Sequence, residues 1–204
     1  MLDMVTTNKS KLDTMSSSKT RILEAALKLL LKRGNPVTSM AEIAKAAGIS
    51  RQALYLQFPD RASLFVTLGR YADEKRGLYP EVKRVQEATS GIAALEAFVS
   101  LQARMNPGIW PLFHAAETIR HHDTAVEHAC QDRLKNRLDF CREIVEKIDR
   151  DGLLRSDLSI DEATDLLWTL TSLRAWEKLV LQRKWSAENY QHHVLSLLRC
   201  ALFK

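Results

Sequence analysis

The chain has 204 residues, of which 46% are apolar and 27% charged, and its net charge is +5. This composition excludes a disordered or fibrous protein and is sufficient for one large globular domain or two small ones. No apolar stretch is long enough to cross a membrane, and the polar N-terminus lacks a secretion signal, so we expect a soluble cytoplasmic protein without a membrane partner. No C-x-x-C pair occurs among the cysteines, which predicts neither a disulfide framework nor a zinc knuckle. They are Cys130, Cys141 and Cys200.

The predicted elements are helical throughout. The first 18 residues are polar and rich in Ser and Thr, which is typical of a disordered arm. Helices follow at 19–33, 40–47, 51–58 and 61–77, with Thr38 or Ser39, Ser50 and Asp60 as N-caps. Beyond Pro80, apolar residues recur at intervals of three and four, and helices are predicted at about 91–105, 108–120, 124–151, 160–183 and 186–203.

Alternating runs of β-branched residues are absent, so the predicted fold is all-α with about nine helices. Its N-terminal part, residues 19–78, is predicted to be a three-helix helix-turn-helix bundle. A larger helical domain is predicted over residues 79–204.

Positive charge is concentrated in the first third of the chain. Residues 1–77 contain 13 Lys and Arg against 7 Asp and Glu, a balance of +6, whereas residues 78–204 contain 17 against 18, a balance of −1. Such asymmetry indicates a polyanionic partner for the N-terminal part, nucleic acid before membrane. A basic surface without a partner is the alternative.

The short helix predicted at 51–58 explains this charge. Leu54 and Phe58 lie four residues apart and are expected to face the core, which leaves Arg51, Gln52 and Tyr55 on the outer face. Arg pairs with guanine, Gln with adenine, and a Tyr hydroxyl reaches phosphate, so this is the pattern of a recognition helix in a major groove. For the phosphate backbone we expect further contacts from Thr38, Ser39 and Arg61.

The segment TRILEAALKLLLKRGNPVTSMAEIAKAAGISRQALYLQFPDRASLF resembles the DNA-binding region of TetR-family transcriptional regulators. The resemblance covers roughly 47 residues and implies a regulator of transcription, most simply a repressor, that binds double-stranded operator DNA. It assigns DNA contacts to Thr38, Ser50, Arg51, Gln52, Tyr55 and Arg61. Gln57 is retained as a further candidate, whereas Leu56 departs from the aromatic residue common in the family and is left out.

Members of the resembled family are homodimers joined through their last two helices, here 160–183 and 186–203. Both helices carry more apolar surface than their own packing requires, which favours a partner. The candidate interface residues are Leu166, Leu170, Leu173, Leu195, Leu198 and Leu202. Packing within one chain is the alternative.

The resemblance also implies a small-molecule effector, apolar or amphipathic and of unknown identity, in the larger domain. Bulky side chains there are candidates to line its cavity, although aromatic residues of a bundle are also ordinary core residues. They are Met105, Trp110, Phe113, Trp168 and Trp176.

His114, His121 and His128 recur every seven residues, whereas metal ligands on one helix face need spacings of three or four. No metal or other cofactor is therefore expected, and the absence of catalytic motifs argues against an enzyme. The alternatives to a ligand-responsive repressor are a regulator or architectural DNA binder without an effector, and a metal sensor that uses the histidines.

Overall fold

A computed structural model of the chain describes residues 17–33 and 39–204. Within them the protein is helical, and its only extended pairing is an isolated bridge between Leu154 and Phe203. The prediction of an all-α fold with an N-terminal helix-turn-helix is confirmed. The arm up to residue 16, Gly34 and the candidate DNA contact Thr38 lie outside the described residues.

The helices are, in chain order, α1 (Ser17–Arg33), α2 (Met40–Ala46), α3 (Arg51–Gln57), α4 (Arg61–Lys75), α5 (Leu78–Gln86), α6 (Gly91–Ile119), α7 (Thr124–Arg150), α8 (Ile160–Leu170), α9 (Leu173–Trp176) and α10 (Ala187–Leu202). A 3₁₀ turn, Arg120–His122, separates α6 from α7, and a π-helix, Glu177–Gln182, continues α9.

The described residues form two compact units. The first comprises the chain up to Tyr79 together with Pro111–Cys130, and the second comprises Pro80–Trp110 and Gln131–Lys204. Helix α6 therefore contributes its residues up to Trp110 to the second unit and the following ones to the first. The single boundary predicted near residue 78 does not include Pro111–Cys130 in the first unit.

Buried apolar side chains of α1 to α4 fill the core of the first unit, and Ala115 from α6 joins them. Ile22, Leu23, Leu54 and Leu64 are fully buried there. In the second unit, Phe98 of α6 meets Phe140 of α7 edge to face, with ring centroids 5.6 Å apart.

Helices α6 and α7 come into backbone contact at Gly91. A Cβ added to Gly91 would lie 2.5 Å from the Ile148 Cα atom, a distance that no side chain can occupy. The Gly91 amide also donates to the Asp151 carboxylate at 2.7 Å. Only glycine permits this contact between the two helix backbones.

Three predicted element boundaries are wrong. Helix α5 was not predicted, since no helix was expected between residues 77 and 91. Pro80 is tolerated at its third position because the amide that proline lacks has no intrahelical acceptor there. Helices 91–105 and 108–120 are one helix, α6. Tertiary packing on both sides outweighs the cost of Pro107 and Pro111, which is about 3 kcal/mol for a proline inside a helix.

The predicted helix 160–183 is interrupted. Helix α8 ends at Leu170 with Thr171 as its C-cap, and Ser172 restarts the chain by accepting from the Ala175 amide at 3.1 Å. The Thr171 hydroxyl donates to the Leu167 carbonyl at 2.6 Å, and the Ser172 hydroxyl accepts from the backbone, so both side chains compete with continuous helical hydrogen bonds.

Candidate nucleic-acid interface

Helices α2 and α3 form a helix-turn-helix. Helix α2 ends at Ala46 with Ala47 as its C-cap, and Gly48 follows with φ +63°, a conformation that glycine adopts without strain. The Ile49 amide donates to the Ala44 carbonyl at 3.1 Å, which closes the turn. The Ser50 hydroxyl then accepts from the Ala53 amide at 3.1 Å and starts α3, as predicted.

Helix α3 is anchored by one face and exposed on the other. On the anchored face, Leu54 is fully buried and Phe58, the C-cap residue of the helix, is nearly so. On the other face, Arg51 and Gln52 are exposed and Tyr55 is 37% exposed. Seven residues are too few for a helix that is stable alone in water, so these two buried side chains hold it in place. The polar side chains expected to face DNA are those that face solvent.

Arg51 and Tyr55 form a pair on the exposed face. The Arg51 Nη2 atom donates to the Tyr55 hydroxyl at 3.5 Å, and its guanidinium carbon lies 5.6 Å from the ring centroid. The hydrogen bond is long, but the cation–π contact restricts both side chains in the free protein. A guanidinium held beside a phenol is a donor group suited to base edges and phosphate.

Ser39, at the start of α2, is engaged in a capping box. Its hydroxyl accepts from the Glu42 amide at 3.2 Å, while its own amide and hydroxyl donate to the Glu42 carboxylate at 2.9 and 3.0 Å. The donors proposed for phosphate are therefore already paired with a carboxylate in the free chain. A DNA contact by Ser39 remains a prediction, and it requires Glu42 to release these groups.

The remaining candidates lie at the end of α3 and the start of α4. Gln57 is half-buried. Arg61 is also half-buried, with its guanidinium carbon 5.3 Å from the Phe65 ring centroid, and desolvation lowers its pKa. An arginine remains protonated despite such a shift, so Arg61 retains the charge that a phosphate contact needs.

Leu56 was left out of the predicted site, yet it is 81% exposed on the outer face of α3. The helical period could have indicated this, since Leu56 lies two residues from both Leu54 and Phe58, on the opposite side of the helix. An exposed leucine among Arg51, Gln52 and Tyr55 offers the apolar contact that a thymine methyl group accepts.

The candidate interface residues differ in exposure. Leu166 is 37% exposed, and Leu170, Leu173 and Leu195 are half-buried, whereas Leu198 and Leu202 are fully buried inside the chain itself. The last two therefore belong to the protomer core. Leu197, which the sequence analysis passed over, is 52% exposed on α10.

The candidate effector residues are distributed over both units. Met105, Trp110 and Trp168 are half-buried and Trp176 is buried, all in the second unit, and Phe113 is half-buried in the first. Two open depressions on the second unit are lined by other residues: one by residues of α5 and α6, the other by Ile92 and the C-terminus.

His121 and His122 are exposed in the 3₁₀ turn, where the neighbouring Arg120 pairs with Glu117 and Glu127 at 2.6 Å each. Among the described residues, no group of three or more His, Cys, Asp and Glu side chains is placed to hold a metal ion. No helix in the same part of the chain is long and apolar enough to span a membrane.

Comparison with known proteins agrees with the helix-turn-helix. Residues 22–68 match the family model described as bacterial regulatory proteins, tetR family. The nucleoid occlusion factor SlmA of Marinomonas sp. (strain MWYL1) is 35% identical over 101 residues, 48% of this chain and 50% of that protein. The regulator AcrR of Shigella flexneri is 41% identical over 56 residues, 28% of this chain and 26% of that protein. The chain thus spans half or less of the length of these relatives.

Solved structures extend the likeness of fold to most of the chain. A transcriptional regulator from Saccharomonospora viridis in complex with choline superposes with a TM-score of 0.79 at 18% identity, over 93% of this chain and all of that one. FadR from Bacillus subtilis in complex with stearoyl-CoA gives 0.69 at 19% identity, over 88% of this chain and 96% of that one. At these identities the likeness shows the fold alone.

Proposed function

We propose that this chain, which belongs to the tetR family of bacterial regulatory proteins, is a homodimeric repressor that binds operator DNA and leaves it when a small molecule binds. The observation that carries the proposal is helix α3, with Arg51, Gln52 and Tyr55 exposed and Leu54 and Phe58 buried beneath them. The anchored helix lies within the segment that matches the family model.

Dimerisation is proposed because one short helix contacts few base pairs and binds weakly alone. Two recognition helices can read successive major grooves when they lie about 34–36 Å apart. Exposed Leu166 and Leu197, with half-buried Leu195, supply apolar surface on α8 and α10 for a second copy. That surface supports an interface of α8 and α10 from each chain.

Response to an effector is proposed for the second unit. Proteins of similar fold have been solved with choline and with stearoyl-CoA, which supports a small-molecule site in this architecture. An effector that prefers a dimer with wrongly spaced recognition helices lowers DNA affinity by its differential binding energy, commonly about 1–3 kcal/mol.

Selection of DNA by the full chain from a random library tests the proposal. We expect an enriched inverted repeat with half-sites 10–10.5 base pairs apart, or a multiple of that spacing. Tyr55→Ala should weaken binding to the selected site at least tenfold. Lys83→Ala, which removes an exposed cation from α5, is the matched control and should leave affinity unchanged.

Two results would contradict the proposal. Enrichment of no sequence, together with a steep salt dependence on any DNA, would identify an architectural binder. Equal binding of the selected site by wild type and Tyr55→Ala would remove α3 from the interface.

A further inference from the structure

The second unit contains a half-buried arginine that lacks an acidic partner. Arg137, on α7, donates from Nη2 to the Trp168 carbonyl at 2.8 Å and to the Thr171 hydroxyl at 2.6 Å. These are its only hydrogen bonds within the described part of the chain, so the Nε and Nη1 donors of the guanidinium remain available. Its guanidinium carbon lies 5.8 Å from the Trp168 ring centroid.

The acidic groups that act on Arg137 are both neutral. Among the described residues they are the Cys141 thiol and the Tyr190 phenol. Burial raises the pKa of Cys141 to about 11 and that of Tyr190 to about 12, although Arg137 opposes both shifts. Arg137 thus retains its positive charge without a carboxylate nearby. A buried charge without a counterion is costly, which makes its position informative.

Two further donors of this region are buried without an acceptor. The Trp168 indole nitrogen and the Tyr190 hydroxyl are both inaccessible to solvent, and neither has a hydrogen-bond partner in the described part of the chain. Tyr190 is fully buried. Unpartnered buried polar groups are rare in folded proteins and call for a specific explanation.

Each of the three side chains has at least one donor without an acceptor: Nε and Nη1 of Arg137, the indole nitrogen of Trp168 and the hydroxyl of Tyr190. Arginine and tryptophan side chains are donors only, and a tyrosine with a raised pKa presents a hydroxyl hydrogen. A carboxylate provides two acceptor oxygens and a single negative charge, which matches the fork of one guanidinium. A phosphate dianion would require a second cation, and none acts on Arg137.

We infer that Arg137, Trp168 and Tyr190 form an anion-binding site of the second unit, and that the effector of this regulator is an organic carboxylate. The inference rests on the proposed function, because it assigns a chemical class to the effector proposed above. A quaternary ammonium compound such as choline is excluded by the same charge, since Arg137 would repel it.

The site lies beside the irregular part of the chain. The two groups that Arg137 contacts are at the end of α8, where the chain breaks before α9 and the π-helix Glu177–Gln182. Single-turn π-helices occur frequently at functional sites. Because the Tyr190 hydroxyl is inaccessible to solvent, entry of a carboxylate requires the surrounding helices to move.

Titration of the full chain with matched small molecules tests the inference. The probes are sodium octanoate and sodium benzoate, their neutral counterparts 1-octanol and benzyl alcohol, the cation octyltrimethylammonium, and inorganic phosphate. Calorimetry gives the affinities. We expect a carboxylate to bind about 10- to 100-fold more tightly than its neutral counterpart, the factor associated with hydrogen bonds to a charged group.

Variants separate recognition from folding. Tyr190→Phe removes the unpartnered hydroxyl without changing the packing, so thermal stability should be retained or increased while carboxylate affinity falls about tenfold. Arg137→Gln should abolish the preference for the charged probe. Arg150→Gln, which removes an exposed arginine from the same helix, is the matched control and should bind like wild type.

The inference fails if neither carboxylate binds, if the neutral, cationic or phosphate probe binds as tightly, or if Arg137→Gln or Tyr190→Phe retains the full preference. Operator binding, measured in parallel, is independent of these results. DNA binding without carboxylate binding would refute this inference alone. Carboxylate binding without any selected DNA would instead refute the proposed function.

Discussion

Replacing Arg51 or Arg61 with alanine is expected to weaken DNA binding in two different ways. Arg51 is exposed at the first position of α3, and we assign it to a base edge. Arg61 is half-buried against Phe65 at the start of α4, and we assign it to phosphate. Base contacts distinguish sequences, whereas phosphate contacts add affinity to every sequence equally.

The magnitudes follow from the two recognition helices of the proposed homodimer. A bidentate arginine contact contributes about 1–3 kcal/mol of discrimination, so Arg51→Ala should cost about 2–6 kcal/mol on the selected operator, at least roughly 30-fold in affinity. Binding to unrelated DNA should change little. Because Arg51 is exposed, its removal should alter the free energy of unfolding by less than about 0.5 kcal/mol.

Arg61→Ala should instead weaken binding to operator and unrelated DNA by the same factor. The slope of log affinity against log salt concentration should fall by about 0.9 for each lost phosphate contact, hence about 1.8 per dimer. Fluorescence anisotropy with both DNAs over a range of salt concentrations measures both quantities. If Arg51→Ala weakens both DNAs equally and flattens the salt slope, the assignment of Arg51 to base reading is refuted.

Three further outcomes are expected. Leu56→Gln should leave thermal stability unchanged but reduce operator affinity by about 1 kcal/mol, the value for one or two buried methyl groups. Unchanged affinity in the anisotropy assay would show that Leu56 does not contact DNA. Gly91→Ala should lower the free energy of unfolding by about 1–3 kcal/mol, since its Cβ collides with the Ile148 backbone, and unchanged urea unfolding would contradict this close approach. Cys141 has a raised pKa of about 11, so the folded state holds its proton more tightly than the unfolded state. The free energy of unfolding, measured with urea, should therefore fall as pH rises above 9, and Cys141→Ala should remove part of that decline. An equal decline in wild type and Cys141→Ala would show that other groups cause it.

Helix starts were the most predictable part of the fold. Thr38 or Ser39, Ser50 and Asp60 were predicted as N-caps, and Ser39, Ser50 and Asp60 each accept a hydrogen bond from the amide of the third residue of the helix. The helices predicted to begin at about 160 and 186 also start there, with Ser159 and Ser186 as N-caps. These signals are local, because the capping side chain and the amide that it accepts from are close in sequence.

The helix ends were predicted wrongly where contacts between residues distant in sequence determine them. Pro107 and Pro111 favour a break locally, and only the packing of α6 maintains a continuous helix through them. Conversely, the break after Leu170 is stabilised in part by Arg137, which lies more than thirty residues earlier. No local pattern connects Arg137 with Thr171, so the cluster proposed to bind a carboxylate could not be derived from sequence.

The position of Arg137 also indicates how the proposed carboxylate effector would change the shape of the proposed dimer. In the free chain its guanidinium satisfies the Trp168 carbonyl, one of the last acceptors of α8, and the Thr171 hydroxyl at the break. A carboxylate that binds the available Nε and Nη1 donors of Arg137 would draw the guanidinium away from these two acceptors. The junction of α8 and α9 would then rearrange, and Leu166 and Leu170 of the proposed interface lie immediately before it. A ligand too small to reach another subunit would thereby alter how the two subunits meet.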